Sequence, residues 1–215
     1  MALPQYSSTP SWCQGDTPLI LSEIVSEDIS VAVWQRDSNE VISKYFESVF
    51  GYMGLGIRTV FAMDSLKQGL NDALPDGEGK AEAIEDIYLL SDMLTCLFDC
   101  TNVGLRLAPL SAAMCPNFHV DKIPVRLVNT YLGDGTEWLP VEELRETPSD
   151  KSVNKTPKAL NKGYYNINSL QQMDAFDVAL LKGSAWPEHE HMAAIHRSCA
   201  LAESEKRVLL TLDPV

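Results

Sequence analysis

The chain contains 215 residues, a length typical of one domain, and no apolar run approaches the ~20 residues of a membrane span, so we expect a soluble, cytoplasmic protein. Its 17 basic and 30 acidic side chains give a formal net charge of −13, which repels phosphate backbones and argues against nucleic-acid binding. Five cysteines at irregular spacing, without a CxxC pair, argue against both a disulfide framework and a zinc ribbon.

The first half of the chain is predicted to be mainly helical. Residues 1–18 are rich in Pro, Ser and Thr and are expected to be irregular. Apolar periodicity predicts helices over about 39–52 and 80–99, the first of them capped by Asp37 or Ser38. Short strands are predicted at 29–34 and 58–63.

After residue 102 the pattern changes to short strands separated by turns. The strands are predicted at 103–107, 125–132, 175–181, 193–197 and 207–212. Residues 141–168 are polar and rich in Pro and Lys, which predicts an insertion that could close over a site as a lid.

These elements predict an α+β fold in which residues 1–215 form a single domain. Residues 1–102 would be a mainly helical support region, packed on a strand-rich core formed by residues 103–215. About eight short strands fit that second part, a number that allows a jelly roll.

The sharpest local signal is the His119-Val120-Asp121 triplet. In an extended segment, residues two apart point the same way, so one imidazole and one carboxylate would face the same cavity. A third ligand must come from elsewhere, and His196 lies in an apolar, strand-like stretch before the last predicted strand. Two histidines and one carboxylate with open positions favour a non-haem iron(II) oxygenase site.

Arg207 opens the last predicted strand, 11 residues after His196 (207 − 196). Its guanidinium could bind one end of a dicarboxylate co-substrate that chelates the metal at its other end. Arg126 is an alternative partner for that carboxylate, or else the partner of an acidic side chain of the protein. The strand that contains Arg126 and Thr130 on one face carries Asn129 and Tyr131 on the other, so Tyr131 either contacts the ligand or belongs to the core.

The Glu188-His189-Glu190-His191 segment offers a rival metal site. His189 and His191 alternate as His119 and Asp121 do, and with His196 they could bind zinc. Their position after Pro187 favours an exposed loop instead.

The combination of these residues resembles the iron(II)- and 2-oxoglutarate-dependent dioxygenases. The resemblance consists of His-x-Asp at 119–121, a gap of 77 residues (196 − 119) to His196, and Arg207, and it covers about residues 103–213. Gly183 is similar to the turn that precedes the distal histidine in that family. The stretch from Cys115 to Pro140, with His196-Arg197-Ser198, also resembles an uncharacterised bacterial domain family. The chain departs from the common pattern at Leu209, where many dioxygenases carry Ser or Thr.

The resemblance implies a double-stranded β-helix, the jelly roll, backed by helices from the N-terminal half. It also implies Fe(II) held by His119, Asp121 and His196, with 2-oxoglutarate and dioxygen used to hydroxylate a small-molecule or protein substrate. A non-enzymatic protein that binds a divalent metal or senses a ligand on a cupin-like barrel is the alternative. A structural interaction module without a metal is a third possibility.

Overall fold

The computed structural model describes residues 10–144, 160–161 and 166–215. Within these ranges the chain forms three α-helices and ten strands. The helices are α1 (Glu40–Val49), α2 (Leu66–Ala73) and α3 (Lys80–Phe98). The strands are β1 (Trp12–Gly15), β2 (Val31–Trp34), β3 (Ile57–Ala62), β4 (Asn102–Leu110), β5 (Val125–Leu132), β6 (Glu137–Leu139), β7 (Gln171–Gln172), β8 (Val178–Lys182), β9 (Ile195–Arg197) and β10 (Arg207–Pro214).

Seven of these strands form one large sheet in the order β1-β2-β8-β5-β10-β4-β3. β1 and β2 run parallel, and the other neighbouring pairs are antiparallel. The last strand of the chain, β10, therefore lies inside the sheet, between β5 and β4. A second sheet has the order β7-β6-β9.

The helices cover one face of the large sheet. Alternate residues of its strands, such as Leu105, Leu127 and Leu210, join the helical side chains of Phe46 and Ile87 in the main hydrophobic core. Because strand residues alternate between faces, the residues between them point away from the helices. We call this opposite side the interior face, and its members in β5 and β10 are Arg126, Val128, Thr130, Arg207, Leu209, Thr211 and Asp213.

The small sheet packs against the interior face. Trp138 of β6 and Ala194, just before β9, join Val128, Ala179 and Leu181 of the large sheet in a second core. Two sheets thus face each other, with helices behind one of them. This arrangement is a mixed helix and sheet fold built around one large sheet.

The predicted helices at 39–52 and 80–99 correspond to α1 and α3, although the cap of α1 is Asn39. Its side chain accepts hydrogen bonds from the amides of Val41 and Ile42, whereas Asp37 and Ser38 lie before the cap. The sequence patterns missed α2 and the short strands β1, β6 and β7.

The large sheet takes strands from both halves of the chain. Three of its seven strands, β1, β2 and β3, come from before residue 102, so the first half supplies strands as well as helices. The predicted insertion at 141–168 lies largely outside the described residues. No helix among the described residues is long and apolar enough to cross a membrane.

A tight turn after β8 packs directly on the segment that leads into β5. The amide of Gly183 donates to the carbonyl of Pro124 over 2.8 Å, and that of Ala185 to the carbonyl of Ile123 over 3.2 Å. A Cβ atom at Gly183 would lie only 1.9 Å from the Ile123 carbonyl oxygen, so the turn requires glycine there.

We expect Gly183→Ala to lower the free energy of unfolding by about 1–3 kcal/mol, because the added methyl group must push two backbone segments apart. Gly51→Ala is the matched control, since a Cβ atom at Gly51 meets nothing within 4 Å. Urea denaturation of both variants measures the effect. Equal stability of Gly183→Ala and the wild type would show that the turn relaxes without cost.

Candidate metal centre

His119 and His196 are brought together by their own backbones. Each donates its amide to the other's carbonyl over 3.0 Å, although His119 lies in an otherwise irregular segment. Residues that exchange both hydrogen bonds in this way stand directly opposite each other with their side chains on the same side. The two imidazole rings accordingly lie 4.4 Å apart between centroids.

Asp121 completes the group two residues further along the chain. One carboxylate oxygen, Oδ1, lies 3.9 Å from His119 Nε2, and the other, Oδ2, lies 3.6 Å from His196 Nε2. One donor atom from each of the three residues lies within 4.8 Å of the other two. The turn at Gly183 fixes the backbone here, because the Asp121 carbonyl accepts from the amide of Ser184 over 2.8 Å and from its hydroxyl over 3.1 Å.

Both imidazoles present Nε2 to Asp121. Nδ1 of His119 lies 2.9 Å from the carbonyl of Asn117, and Nδ1 of His196 lies 3.0 Å from the carbonyl of Ala194. A carbonyl only accepts, so Nδ1 carries the proton and Nε2 keeps the lone pair that a metal needs. Burial lowers the pKa of His196 to about 4, so this imidazole is neutral at pH 7.

Arg126 holds the carboxylate of the group in place. Its Nη1 donates to Asp121 Oδ2 over 2.9 Å, while Nε and Nη2 donate to the two oxygens of Asp213 over 2.7 Å each. Asp121 is thereby connected through one guanidinium to the central strand β10. Each of the three nitrogens of Arg126 donates to one of these two carboxylates, so Arg126 is placed to orient Asp121. This is the pairing with acidic side chains that the sequence left open for Arg126.

Arg207 is fully buried, with 0% of its surface exposed. Nη2 donates to the hydroxyls of Thr136 over 2.9 Å and Thr130 over 3.2 Å. Nε and Nη1 have no hydrogen-bond partner, and no carboxylate pairs with the guanidinium, among the residues that the structure describes. Burial lowers the pKa of Arg207, and a buried cation in this state is costly unless a ligand supplies the missing acceptor.

The structure does not bring Tyr131 to this group. Its side chain lies on the helix side of β5, where its ring stacks on Phe46 at 5.0 Å between centroids. Its hydroxyl donates to Asp86 over 2.8 Å, and Asp86 also pairs with Arg36 over 2.7 Å. Of the two faces left open by the sequence pattern, the interior one carries Arg126 and Thr130, and Tyr131 belongs to the core, the other role expected for it.

Comparison with protein families gives a match over nearly the whole chain. The model for the proteins of unknown function called DUF1826 matches residues 15–213. The chain belongs to the DUF1826 family. No curated protein matches its sequence.

Several solved structures share a general likeness with this DUF1826 member. The rice dioxygenase for auxin oxidation has 10% identity and a TM-score of 0.47, covering 86% of this chain and 73% of that one. The non-haem alpha-ketoglutarate-dependent carbocyclase SnoK of nogalamycin biosynthesis has 9% identity and a TM-score of 0.42, with coverages of 91% and 83%. The Arabidopsis thaliana dioxygenase for auxin oxidation, in complex with 2-oxoglutarate, has 12% identity and a TM-score of 0.42, with coverages of 84% and 67%.

The rival histidines of this DUF1826 member do not join a metal group. The rings of His189 and His191 lie 6.0 Å apart, and they are not part of any cluster of three ligands among the described residues.

Sequence reasoning missed Thr136 and Trp138. Thr136 contacts Arg207, and Trp138 stands directly opposite His196 with its buried Nε1 unpartnered among the described residues.

We expect His119→Ala and His196→Ala to abolish stoichiometric binding of a divalent metal, because each removes one of three ligands. His189→Ala and His191→Ala are matched controls that should retain the metal. The measurement is metal content after anaerobic loading with Fe(II) and gel filtration, together with circular dichroism to verify folding. Full metal content in both ligand variants would place the metal elsewhere.

We expect Tyr131→Phe to lower the free energy of unfolding by about 1–2 kcal/mol, because it removes one hydrogen bond to Asp86 inside the core. Metal binding should stay at the wild-type level, since the hydroxyl faces the helices. Denaturation and metal titration of the same sample separate the two effects. A weakened metal affinity at unchanged stability would show instead that the Tyr131 hydroxyl contributes to the metal site.

Proposed function

We propose that this protein is a non-haem iron(II) oxygenase that uses 2-oxoglutarate and dioxygen to hydroxylate a substrate. The observation that carries the proposal is the buried Arg207, which lies on the interior face with two unpaired nitrogens, Nε and Nη1, and no carboxylate partner among the described residues. A protein that only stored a metal would gain nothing from this uncompensated charge. A co-substrate with a carboxylate at each end would use both the metal group and Arg207.

The residues fit iron(II). His119, Asp121 and His196 supply two imidazole nitrogens and one carboxylate oxygen, the donor set typical of non-haem iron(II) oxygenases. Three protein ligands leave positions on the metal for other molecules. Arg126 and the carbonyls at Nδ1 of each histidine would orient these ligands before the metal arrives.

The residues also fit 2-oxoglutarate. A guanidinium binds a carboxylate through charge-assisted hydrogen bonds, and Nε and Nη1 of Arg207 are available as donors for this purpose. The hydroxyls of Thr130 and Thr136 already accept from the third nitrogen, which leaves their own protons free to donate to a carboxylate. They would supply the hydroxyl that Leu209 lacks at the position where many dioxygenases carry Ser or Thr.

Strand β6 links the two ends of the proposed site. Thr136, which contacts Arg207, immediately precedes β6, and Trp138 of that strand stands opposite His196. Residues two apart in an extended segment, such as Thr136 and Trp138, are separated by about 7 Å. Their partners Arg207 and His196 would therefore border the same space between the sheets. The two facing sheets support the interpretation of the fold as a double-stranded β-helix.

Iron(II) with 2-oxoglutarate and dioxygen would supply the oxidising power, by a reaction that decarboxylates the co-substrate. The chain's own residues would bind the co-substrate and orient the metal ligands. Arg207 would fix the far carboxylate, Arg126 would hold Asp121, and the apolar side chains of Trp138, Val128 and Leu209 would exclude water from the space between the sheets.

We expect 2-oxoglutarate to bind only to the metal-loaded protein, and Arg207→Leu to weaken this binding by a hundredfold or more. Losing the charged partner of a buried carboxylate costs about 3–5 kcal/mol, and each ~1.4 kcal/mol is tenfold in affinity. The affinity of Arg207→Lys should lie between those of the wild type and Arg207→Leu, because lysine keeps the charge but loses the guanidinium donors. Titration calorimetry with anaerobic Fe(II), or with Mn(II) in its place, measures the affinities.

Lys206→Leu is the matched control, since it removes the neighbouring but exposed cation and should bind 2-oxoglutarate as the wild type does. Arg207→Leu should also unfold at the same temperature as the wild type or higher, because an unpaired buried charge is replaced by an apolar side chain. Equal affinity of the wild type and Arg207→Leu would remove Arg207 from the site. A wild type that binds metal but no 2-oxoglutarate would favour the non-enzymatic metal-binding alternative.

A further inference from the structure

Two arginines on the interior face stand directly opposite each other at one end of the large sheet. Arg58 of β3 pairs in register with Arg106 of β4, and Arg106 in turn pairs with Thr211 of β10. Directly opposed residues of antiparallel strands point to the same side, with Cβ atoms about 5 Å apart. The row therefore presents two guanidinium groups and one hydroxyl side by side.

This arrangement is unfavourable for the protein alone. Like charges placed directly opposite each other destabilise a sheet. Neither Arg58 nor Arg106 forms an ion pair within the described part of the chain, although acidic side chains outnumber basic ones by 30 to 17. Arg126, on the same face, shows the contrast, because two carboxylates neutralise it.

The arginine pair borders a cavity of about 340 Å³, within the size range of small-molecule sites. Its walls are cationic at the two arginines and apolar at Val60, whose surface is 58% exposed. The other side chains that decide its chemistry are those of Arg58, Arg106, Met114, Arg126, Thr211 and Asp213.

The cavity also adjoins the metal centre. Arg126 and Asp213 line it, and the same Arg126 donates to Asp121 over 2.9 Å. β4 and β5 are separated only by β10, which places them about 10 Å apart. A small molecule held by the arginine pair would thus extend from β4 toward the proposed metal.

We infer that this cavity binds the oxygenase substrate, and that the substrate is a small organic anion whose carboxylate or phosphate group pairs with Arg58 and Arg106. Val60 and Met114 would contact its apolar body, and Thr211 would donate a hydrogen bond to the anionic group. This inference rests on the proposed function for the reaction that follows binding. The ion pairing itself depends only on the two arginines, because guanidinium groups bind either oxyanion in the same way.

The test uses three ring-containing probes of similar size: phenylacetate, phenyl phosphate and the neutral phenylacetamide. Their binding is measured by titration calorimetry on protein saturated with Mn(II) and 2-oxoglutarate, so that Arg207 is already engaged, and again on protein without either. We expect at least one anion to bind tenfold or more tightly than the amide. The stronger anion identifies the group as carboxylate or phosphate.

The double variant Arg58→Gln/Arg106→Gln should weaken binding of the preferred anion at least tenfold and leave that of the amide unchanged. Lys44→Gln/Lys67→Gln removes the same total charge from exposed sites outside the cavity and should bind as the wild type does. The arginine variant should be at least as stable to heat as the wild type, because a like-charge contact has been relieved. A large loss of stability would instead assign the arginines a structural role and overturn the inference.

Equal binding of the anions and the amide, or no binding of either anion, would also overturn the inference. The affinity for 2-oxoglutarate in the same variants separates this result from the proposed function. If 2-oxoglutarate binds and the probes do not discriminate charge, only the assignment of the substrate class fails. If 2-oxoglutarate does not bind while the anions still depend on Arg58 and Arg106, the proposed function fails and the cavity remains an anion site.

Discussion

The reciprocal pair of backbone hydrogen bonds between His119 and His196 is the contact on which the candidate metal centre depends. His119 belongs to a segment without regular structure, and this pairing attaches it to the edge of the small sheet beside β9. The register of one residue pair thus sets the distance between two imidazoles that are 77 positions apart in the chain (196 − 119). The same register also sets the direction of the Asp121 side chain, because residues two positions apart in an extended segment point to the same side.

Further contacts hold the segment on both sides of this residue pair. The turn at Gly183 holds the backbone carbonyl of Asp121, and Arg126 holds its carboxylate against Asp213. On the side of His119, the side chain of Asn161 bonds both the amide and the carbonyl of Phe118 over 2.6 and 3.0 Å. These contacts hold the side chains of the three candidate ligands in place without a metal, which would lower the cost of binding one.

The two interior arginines nearest the ligands have opposite electrostatic roles. Arg126 is neutralised by Asp121 and Asp213 and belongs to the framework, whereas Arg207 carries a buried charge without a carboxylate among the described residues. A protein selected only for stability would not keep the second arrangement, because a buried unpaired cation is destabilising. The cost at Arg207 is understandable if a ligand supplies the missing partner during function.

The grouping of His119, Asp121 and His196 could be predicted from two short patterns and from the small number of other histidines. The alternation of His119 and Asp121 and the apolar strand around His196 are both short-range patterns, and the structure brings the three residues together. The face of β5 could not be predicted in the same way. Alternation separates Arg126 from Tyr131 but does not say which side meets the helices, since that depends on packing against Phe46 and Asp86 far along the chain.

Other features had no local signal at all. β6 has three residues and β7 has two, too few for a periodic pattern, so Trp138 and Thr136 could not be placed beside His196 and Arg207. The pairing of Arg126 with Asp213 joins strands that are distant in sequence, and so does the facing pair of Arg58 and Arg106. Such contacts follow from strand order and register, which are properties of the folded sheet.

The most direct test is a crystal structure of the protein grown anaerobically with Mn(II) and 2-oxoglutarate, with anomalous scattering used to locate the metal. We expect one strong anomalous peak, from a metal bonded to Nε2 of His119, Nε2 of His196 and a carboxylate oxygen of Asp121. We further expect the co-substrate to chelate that metal and to place its far carboxylate on Arg207. A metal bound at His189 and His191, or a co-substrate that leaves Arg207 without a partner, would contradict these expectations.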